Sequence, residues 1–190
     1  MSVKKVLKVT VCGGSAVGKS SIGCRLAGKE PYPDHVSTVG VDFFTQYFPM
    51  YSVKINIWDL AGNERFQGIT YAYVNGSDIL IYVYDMSRRG SVRELRNIHS
   101  AYQQRKIPKI KSIVVGNKSD IGNRCMNSGI NFAIQLNAPH IVVSAKDNKG
   151  LDQLLDTIMS LSGVQPYTQL EPEPEQIAVE CINCDKCVIV

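Results

Sequence analysis

The run Gly13-Gly14-Ser15-Ala16-Val17-Gly18-Lys19-Ser20 fits the spacing G-x-x-x-x-G-K-[ST], with an apolar run before it and a helical pattern after it. Its glycines let the backbone curl until several N–H groups point into a cup the size of one anion, and a helix beginning near Lys19 adds the positive end of its dipole. Lys19 can bridge terminal phosphates as a point charge, and the Ser20 hydroxyl can ligate Mg2+. The candidate contacts are Gly13, Ser15, Ala16, Val17, Gly18, Lys19, Ser20 and Ser21. The plain alternative is a glycine-rich turn that happens to precede a helix, and the ordered residues and their flanks argue against it.

A phosphate cradle alone suits many chemistries, so base selection must come from elsewhere. Asn117-Lys118-Ser119-Asp120 follows a strand-like run, and the Asp120 carboxylate can accept from both N1–H and the exocyclic amino group of guanine. Adenine offers no such pair of donors. Ser144-Ala145-Lys146 follows the last strand-like run, where the Ala145 N–H can serve the guanine O6. Between these lies Trp58-Asp59-Leu60-Ala61-Gly62, with an acid suited to a water-mediated Mg2+ contact and a glycine whose N–H can reach a γ-phosphate. Asp59 alone reads equally well as a strand-end acid capping a turn. The ordered set points to GTP and GDP with Mg2+, and against an ATP-dependent kinase or ATPase.

These loops need a scaffold, and Val- and Ile-rich runs alternate with segments of helical period, the pattern of an α/β P-loop fold. Strands are expected at Val6–Cys12, Val41–Phe48, Val53–Trp58, Ile79–Tyr84, Ile110–Val115 and His140–Val143. Helices are expected at Lys19–Ala27, Ile69–Val74, Val92–Gln104, Gly129–Leu136 and Leu151–Leu161. The second and third strands are joined too tightly for a crossover helix, so they form a hairpin and one of six strands runs antiparallel, with helices on both faces of the sheet. Ser91 and Glu94 have the spacing of a capping box at the third helix, whose apolar stripe is Val92, Leu95, Ile98, Ala101 and Tyr102. The last helix is expected to bury Leu151, Leu154, Leu155, Ile158 and Leu161.

With 190 residues, 44% hydrophobic and 20% charged, the chain has the makeup of one ordinary globular domain, and collagen-like, coiled-coil and wholly disordered classes are excluded. Residues 1–163 read as that domain. Residues 164–190, with Glu-Pro repeats and no apolar period, read as a disordered tail. The domain carries +8 and the tail −4 of the net +4. Arg88, Arg89, Arg93, Arg96 and Arg105 read as a solvated basic face, and without interleaved aromatics no nucleic-acid partner is expected. Apolar runs of about six residues fall far short of the roughly 20 that cross a bilayer, and the N-terminus lacks the apolar core of a secretory signal.

Three of six cysteines, Cys181, Cys184 and Cys187, crowd the last ten residues. Cys187-Val188-Ile189-Val190 has the form C-a-a-X, so Cys187 is a candidate prenyl acceptor. One lipid holds a membrane only marginally, and Cys184 or Cys181 can carry the second signal. The rival is a metal or redox site at C-x-x-C spacing. It lacks a nearby fourth ligand, because His35, His99 and His140 are scattered.

The ordered motifs resemble the Ras superfamily of small GTPases from about Lys5 to Leu161, and the Rab branch in particular. Ser37-Thr38-Val39-Gly40-Val41-Asp42-Phe43, Trp58-Asp59-Leu60-Ala61-Gly62-Asn63-Glu64-Arg65-Phe66 and Tyr84-Asp85-Met86-Ser87 are similar to Rab signatures. The resemblance implies that Thr38 gives its hydroxyl to Mg2+ beside Ser20 and Asp59, and its N–H to the γ-phosphate. It implies that Phe43, Trp58 and Tyr73 form an aromatic triad touched by effectors, plain core aromatics being the alternative. It implies a slow switch with Lys19, Thr38 and Asn63 in catalytic roles, Asn63 standing where the family has Gln. Pro31 stands where an aromatic commonly packs over the base, with Tyr32 next to it as a candidate contact, and Leu60 replaces a usual Thr. The implied setting is vesicle trafficking on the cytoplasmic face of an intracellular membrane, with a cytosolic pool. The implied partners are an exchange factor, a GTPase-activating protein, effectors and the prenylation machinery. A GTP-binding adaptor with little hydrolysis stays open as the alternative.

Overall fold

The computed structural model describes residues 3–31, 37–62 and 67–166, with the side chains of 67–70 excepted. Six strands form one sheet: β1 (Lys5–Gly13), β2 (Val41–Phe48), β3 (Val53–Leu60), β4 (Ile79–Asp85), β5 (Lys111–Asn117) and β6 (His140–Val142). Their order is β2-β3-β1-β4-β5-β6, parallel throughout except for the antiparallel β2–β3 pair. The helices are α1 (Lys19–Leu26), α2 (Gln67–Val74), α3 (Ser91–Gln104), α4 (Met126–Leu136) and α5 (Leu151–Ser162). The expected α/β P-loop architecture and its hairpin are present, with most element ends moved by one to three residues.

Alternation along the strands sorts the core into two layers. Ile79, Ile81 and Val83 face one side with Leu154 and Ile158 of α5, while Leu80, Tyr82 and Tyr84 face the other with Leu95 of α3 and Phe132 of α4. Because helices cover both faces, β4 is buried along its whole length, which is why its sequence reads as an unbroken apolar run. Cys12, Cys24 and Cys125 are buried free thiols.

The register aligns the carboxyl ends of the parallel strands. Val11 lies opposite Asp59, Gly13 opposite Val83, Asp85 opposite Asn117 and Gly116 opposite Val142. Every loop carrying a motif therefore opens at one edge of the sheet, the usual place for a ligand in open α/β folds.

Three local expectations need correction. The capping box does not form, because Gly90 takes the N-cap position at φ 94°, which puts Ser91 inside the helix and one position out of register with the motif. Ser91 Oγ instead donates to the Asp85 carbonyl (2.7 Å), and Glu94 meets Arg88. The basic face is not uniform: Arg89, Arg93, Arg96 and Arg105 are exposed as expected, Arg105 with its guanidinium 3.8 Å from the ring centre of Tyr71, whereas Arg88 is half-buried and ion-paired. In α5, Met159 is buried, whereas Leu155 and Leu161 are only partly so.

Candidate nucleotide-binding site

At the end of β1 the loop runs so close to β4 and β5 that two glycines have no room for a side chain. A Cβ on Gly13 would collide with the Val83 carbonyl, and one on Gly18 with the Asn117 amide nitrogen. Gly18 also sits at φ 92° as the N-cap of α1, a conformation that L side chains rarely adopt. Lys19 follows in the first turn, 6% exposed, and its Nζ donates to the Gly14 carbonyl at 2.9 Å. Burial lowers the Lys19 pKa, and the nearby Asp59 carboxylate opposes that shift.

Asp59, at the end of β3, is fully buried. Burial pushes its carboxyl up, against hydrogen bonding from Ser20 and attraction to Lys19. Ser20 Oγ donates to Asp59 Oδ2 at 2.5 Å, Thr38 Oγ1 lies 3.3 Å from the same oxygen, and the two hydroxyls are 3.1 Å apart. Asp59 Oδ1 is buried with no hydrogen-bond partner. A buried, unpaired carboxylate oxygen is costly unless something polar meets it. The Ser20 and Thr38 hydroxyls meet Oδ2 of the same carboxylate, and hard oxygens of this kind are the donors Mg2+ prefers, so the residues fit that ion. Bound there, Mg2+ would supply neutralisation of phosphate charge. Gly62 lies against the same cradle, where a Cβ would come within 2.5 Å of the Gly14 carbonyl and 2.7 Å of Lys19 Nζ.

The base end is joined through the neutral Asn117 amide, with an ion pair beside it. Asn117 Nδ2 donates to the Val17 carbonyl at 2.9 Å, and its Oδ1 accepts the Ala145 N–H at 3.1 Å. Lys118, at φ 64°, reaches back to the Ala16 carbonyl (2.7 Å) and pairs with Asp85 (2.9 Å). Burial alone would raise the Asp85 pKa, but bonds from Ser87 and Lys118 more than offset it and hold the carboxyl below its ordinary value. Asp120 is exposed and accepts from the buried Ser144 hydroxyl at 2.8 Å. Ser144 also caps the Asp147 N–H at 3.1 Å, ahead of the exposed Lys146 and Asp147.

A model of the Ras family matches residues 8–162. The chain is 35% identical to the Ras-related protein Rab-1C of Dictyostelium discoideum over 153 residues, covering 78% of this chain and 76% of that one. It is 33% identical to the GTP-binding protein ypt1 of Schizosaccharomyces pombe, covering 80% and 78% of the two chains. It is 30% identical to the Ras-related protein SEC4 of Saccharomyces cerevisiae, covering 84% and 76%. This chain is a Rab-like member of the Ras family.

Ras-family GTPases bind GTP and GDP and, as a class, Mg2+. In this Rab-like chain the three aromatics expected to act together are in contact. Phe43 and Trp58 are cross-strand partners with ring centres 4.9 Å apart, and Tyr73 of α2 lies 5.2 Å from Trp58. Phe43 is 49% exposed, so the cluster is a surface feature and not plain core. The neighbouring Phe44 points inward and packs where α1 has Gly23 instead of a larger side chain.

Two features of the Rab-like site were invisible to motif reading. Arg25 of α1 donates to the Ala145 carbonyl (3.0 Å) and the Lys146 carbonyl (3.3 Å) while pairing with Glu30 (2.6 Å). The other is Arg88 with Glu94 beside the phosphate loop. A cation in the mostly buried α1 is the only hint the sequence offers for the first. Tyr32, Asn63, Cys181, Cys184 and Cys187 lie outside the described residues.

Proposed function

We propose that this chain is a guanine-nucleotide switch that binds GTP and GDP with Mg2+, hydrolyses GTP slowly on its own and regulates traffic between intracellular membranes. The observation that carries the reading is the Asn117 side chain, which ties the phosphate loop at Val17 to the base loop at Ala145. That link suits a ligand with a phosphate chain and a guanine edge at a fixed separation. Phosphates are held by Gly13, the backbone from Ser15 to Ser21, Lys19 and Gly62. Mg2+ is held by Ser20, Thr38 and Asp59, and the base by Asn117, Lys118, Asp120, Ser144, Ala145 and Lys146.

Nucleotide extracted from the purified protein tests this reading directly. Close to one guanine nucleotide per chain is expected, and adenine nucleotide would overturn it. The slow rate follows from Asn63, one methylene shorter than the Gln that places the attacking water in the family. A misplacement of about 1 Å can cost on the order of 100-fold. Asn63→Gln should raise single-turnover GTP hydrolysis several-fold with affinity nearly unchanged; an unchanged rate removes the role given to Asn63. The limiting form of the same reading is a long-lived GTP-binding adaptor.

Trafficking is supported by the likeness to Rab-1C, ypt1 and SEC4. Effectors would meet the Phe43, Trp58 and Tyr73 cluster, while an exchange factor and an activating protein reset the switch. Cys187 and Cys184 are the proposed lipid acceptors, and Cys187→Ser should move the protein from the membrane to the soluble fraction.

A further inference from the structure

The Ser-x-x-Glu sequence that fails to cap α3 leaves its glutamate free for another contact. Glu94 meets Arg88 in a two-pronged ion pair, Nη1 to Oε1 at 2.5 Å and Nη2 to Oε2 at 2.8 Å. Such a fork fixes both planes, unlike a single-contact surface pair, which is worth little. Arg88 is further anchored through its backbone, whose N–H donates to the Asp85 carbonyl (3.3 Å) and whose carbonyl accepts from Cys125 Sγ (3.2 Å).

The fork rests on the rim of the phosphate loop. Arg88 Nη2 lies 3.4 Å from the Ser15 carbonyl, and a Cβ on Gly14 would strike the Glu94 carboxylate. Glu94 is also close enough to be felt by the buried Lys19 ammonium. A carboxylate on the wall of an anion cup repels the anion unless a cation cancels it, and the cation paired with Glu94 is Arg88.

We propose that the Arg88–Glu94 fork is a positioning brace: it holds the Gly14–Ser15 rim and neutralises Glu94 there, and so sets how long a guanine nucleotide stays bound. The proposal rests on the nucleotide-binding reading above. Neither residue touches the reacting atoms in this role, because both act through the loop backbone and the field across it.

The test is the dissociation rate of fluorescently labelled GDP from the full chain with Mg2+, for wild type, Arg88→Ala, Arg88→Lys, Glu94→Gln and the Arg88→Ala/Glu94→Gln double variant. Arg88→Ala should speed release about 3- to 10-fold, since it removes a charged hydrogen bond and leaves Glu94 without its partner, with solvent screening part of that charge because both side chains are 39% exposed. Glu94→Gln should have a smaller effect. The double variant should release GDP more slowly than Arg88→Ala alone, because the stranded charge is gone, and Arg88→Lys should recover part of the loss. The melting temperature of nucleotide-free Arg88→Ala should stay near wild type. Wild-type release rates in Arg88→Ala, strictly multiplicative single effects in the double variant, or equal destabilisation with and without GDP would each overturn the brace. A wild-type chain that retains no guanine nucleotide would instead overturn the binding reading on which the brace rests.

Discussion

At the phosphate end of the cleft, Lys19 and Asp59 are buried charges a few ångströms from polar backbone, with Arg88 and Glu94 at the rim; at the base end, the buried Asn117, Ser144 and Ala145 are neutral, and the charges beside them are the Lys118–Asp85 pair and the exposed Asp120. Burial moves Lys19 and Asp59 toward their uncharged forms, while Asn117 satisfies both ends of its amide without any charge. The contrast fits what each end is proposed to hold. A phosphate chain carries charge that only opposing charge and oriented N–H groups can balance in a low-dielectric cup. A base edge is a pattern of donors and acceptors that directed hydrogen bonds read, an acceptor pair such as the Asp120 carboxylate among them.

If the phosphate end is dominated by charge, Lys19→Met should be the most damaging substitution, since it keeps the apolar stem and removes only the cation. A loss of about 100- to 1,000-fold in GDP affinity is expected, on the scale of breaking a buried charge pair, and calorimetric titration would measure it. An effect under tenfold would erase the contrast. Asn117→Ala comes next, because it strands the Val17 carbonyl and the Ala145 N–H together. At about 1–3 kcal/mol for each unsatisfied group, stability and affinity should both fall, measured by chemical denaturation and titration.

Asp120→Asn sharpens the comparison from the other side, since it changes the hydrogen-bond pattern of an exposed residue without disturbing the core. Preference should move from guanine toward xanthine, whose C2 carbonyl wants a donor, and competition between GTP and XTP would detect it. Equal affinities before and after would mean that the base is read elsewhere.

The smallest expected effect is on pH dependence. His140 Nε2 is hydrogen-bonded with Tyr84 OH (2.9 Å) and His99 Nδ1 with Tyr82 OH (3.0 Å), and burial lowers both histidine pKa values from the ordinary 6.5. The unfolded chain then binds more protons than the folded one just below that pH, so stability falls as pH drops through about 6.5 and levels off below the folded values. Both rings are partly exposed, so the drop is modest. Melting curves at pH 7.5 and 5.5 should differ less for His140→Gln, and an unaltered difference would place the sensitivity elsewhere.

Much of this was legible in the chain because local physics sets it. The strand-to-helix turn at Gly13 to Ser20 and the unbroken apolar β4 follow from backbone sterics and burial over a few residues. The same reasoning misassigned Ser91 and Glu94. A left-handed glycine one position earlier competes for the N-cap, and a spacing motif cannot tell which residue wins. The inward turn of Phe44, against Gly23 of a different element, was equally out of reach.

The sequence by itself determined which residues are the candidates for phosphate, Mg2+ and guanine, because those proposed roles belong to side-chain chemistry and short-range backbone geometry. Only the tertiary structure decided that Asn117 spans 100 positions to Val17, that Arg25 reaches 120 positions to Ala145 and that Arg88 closes on Ser15 across 73. Those contacts depend on the parallel register that brings the strand ends together, and a register is fixed by the packing of the whole sheet against its helices. No window of neighbouring residues contains that information.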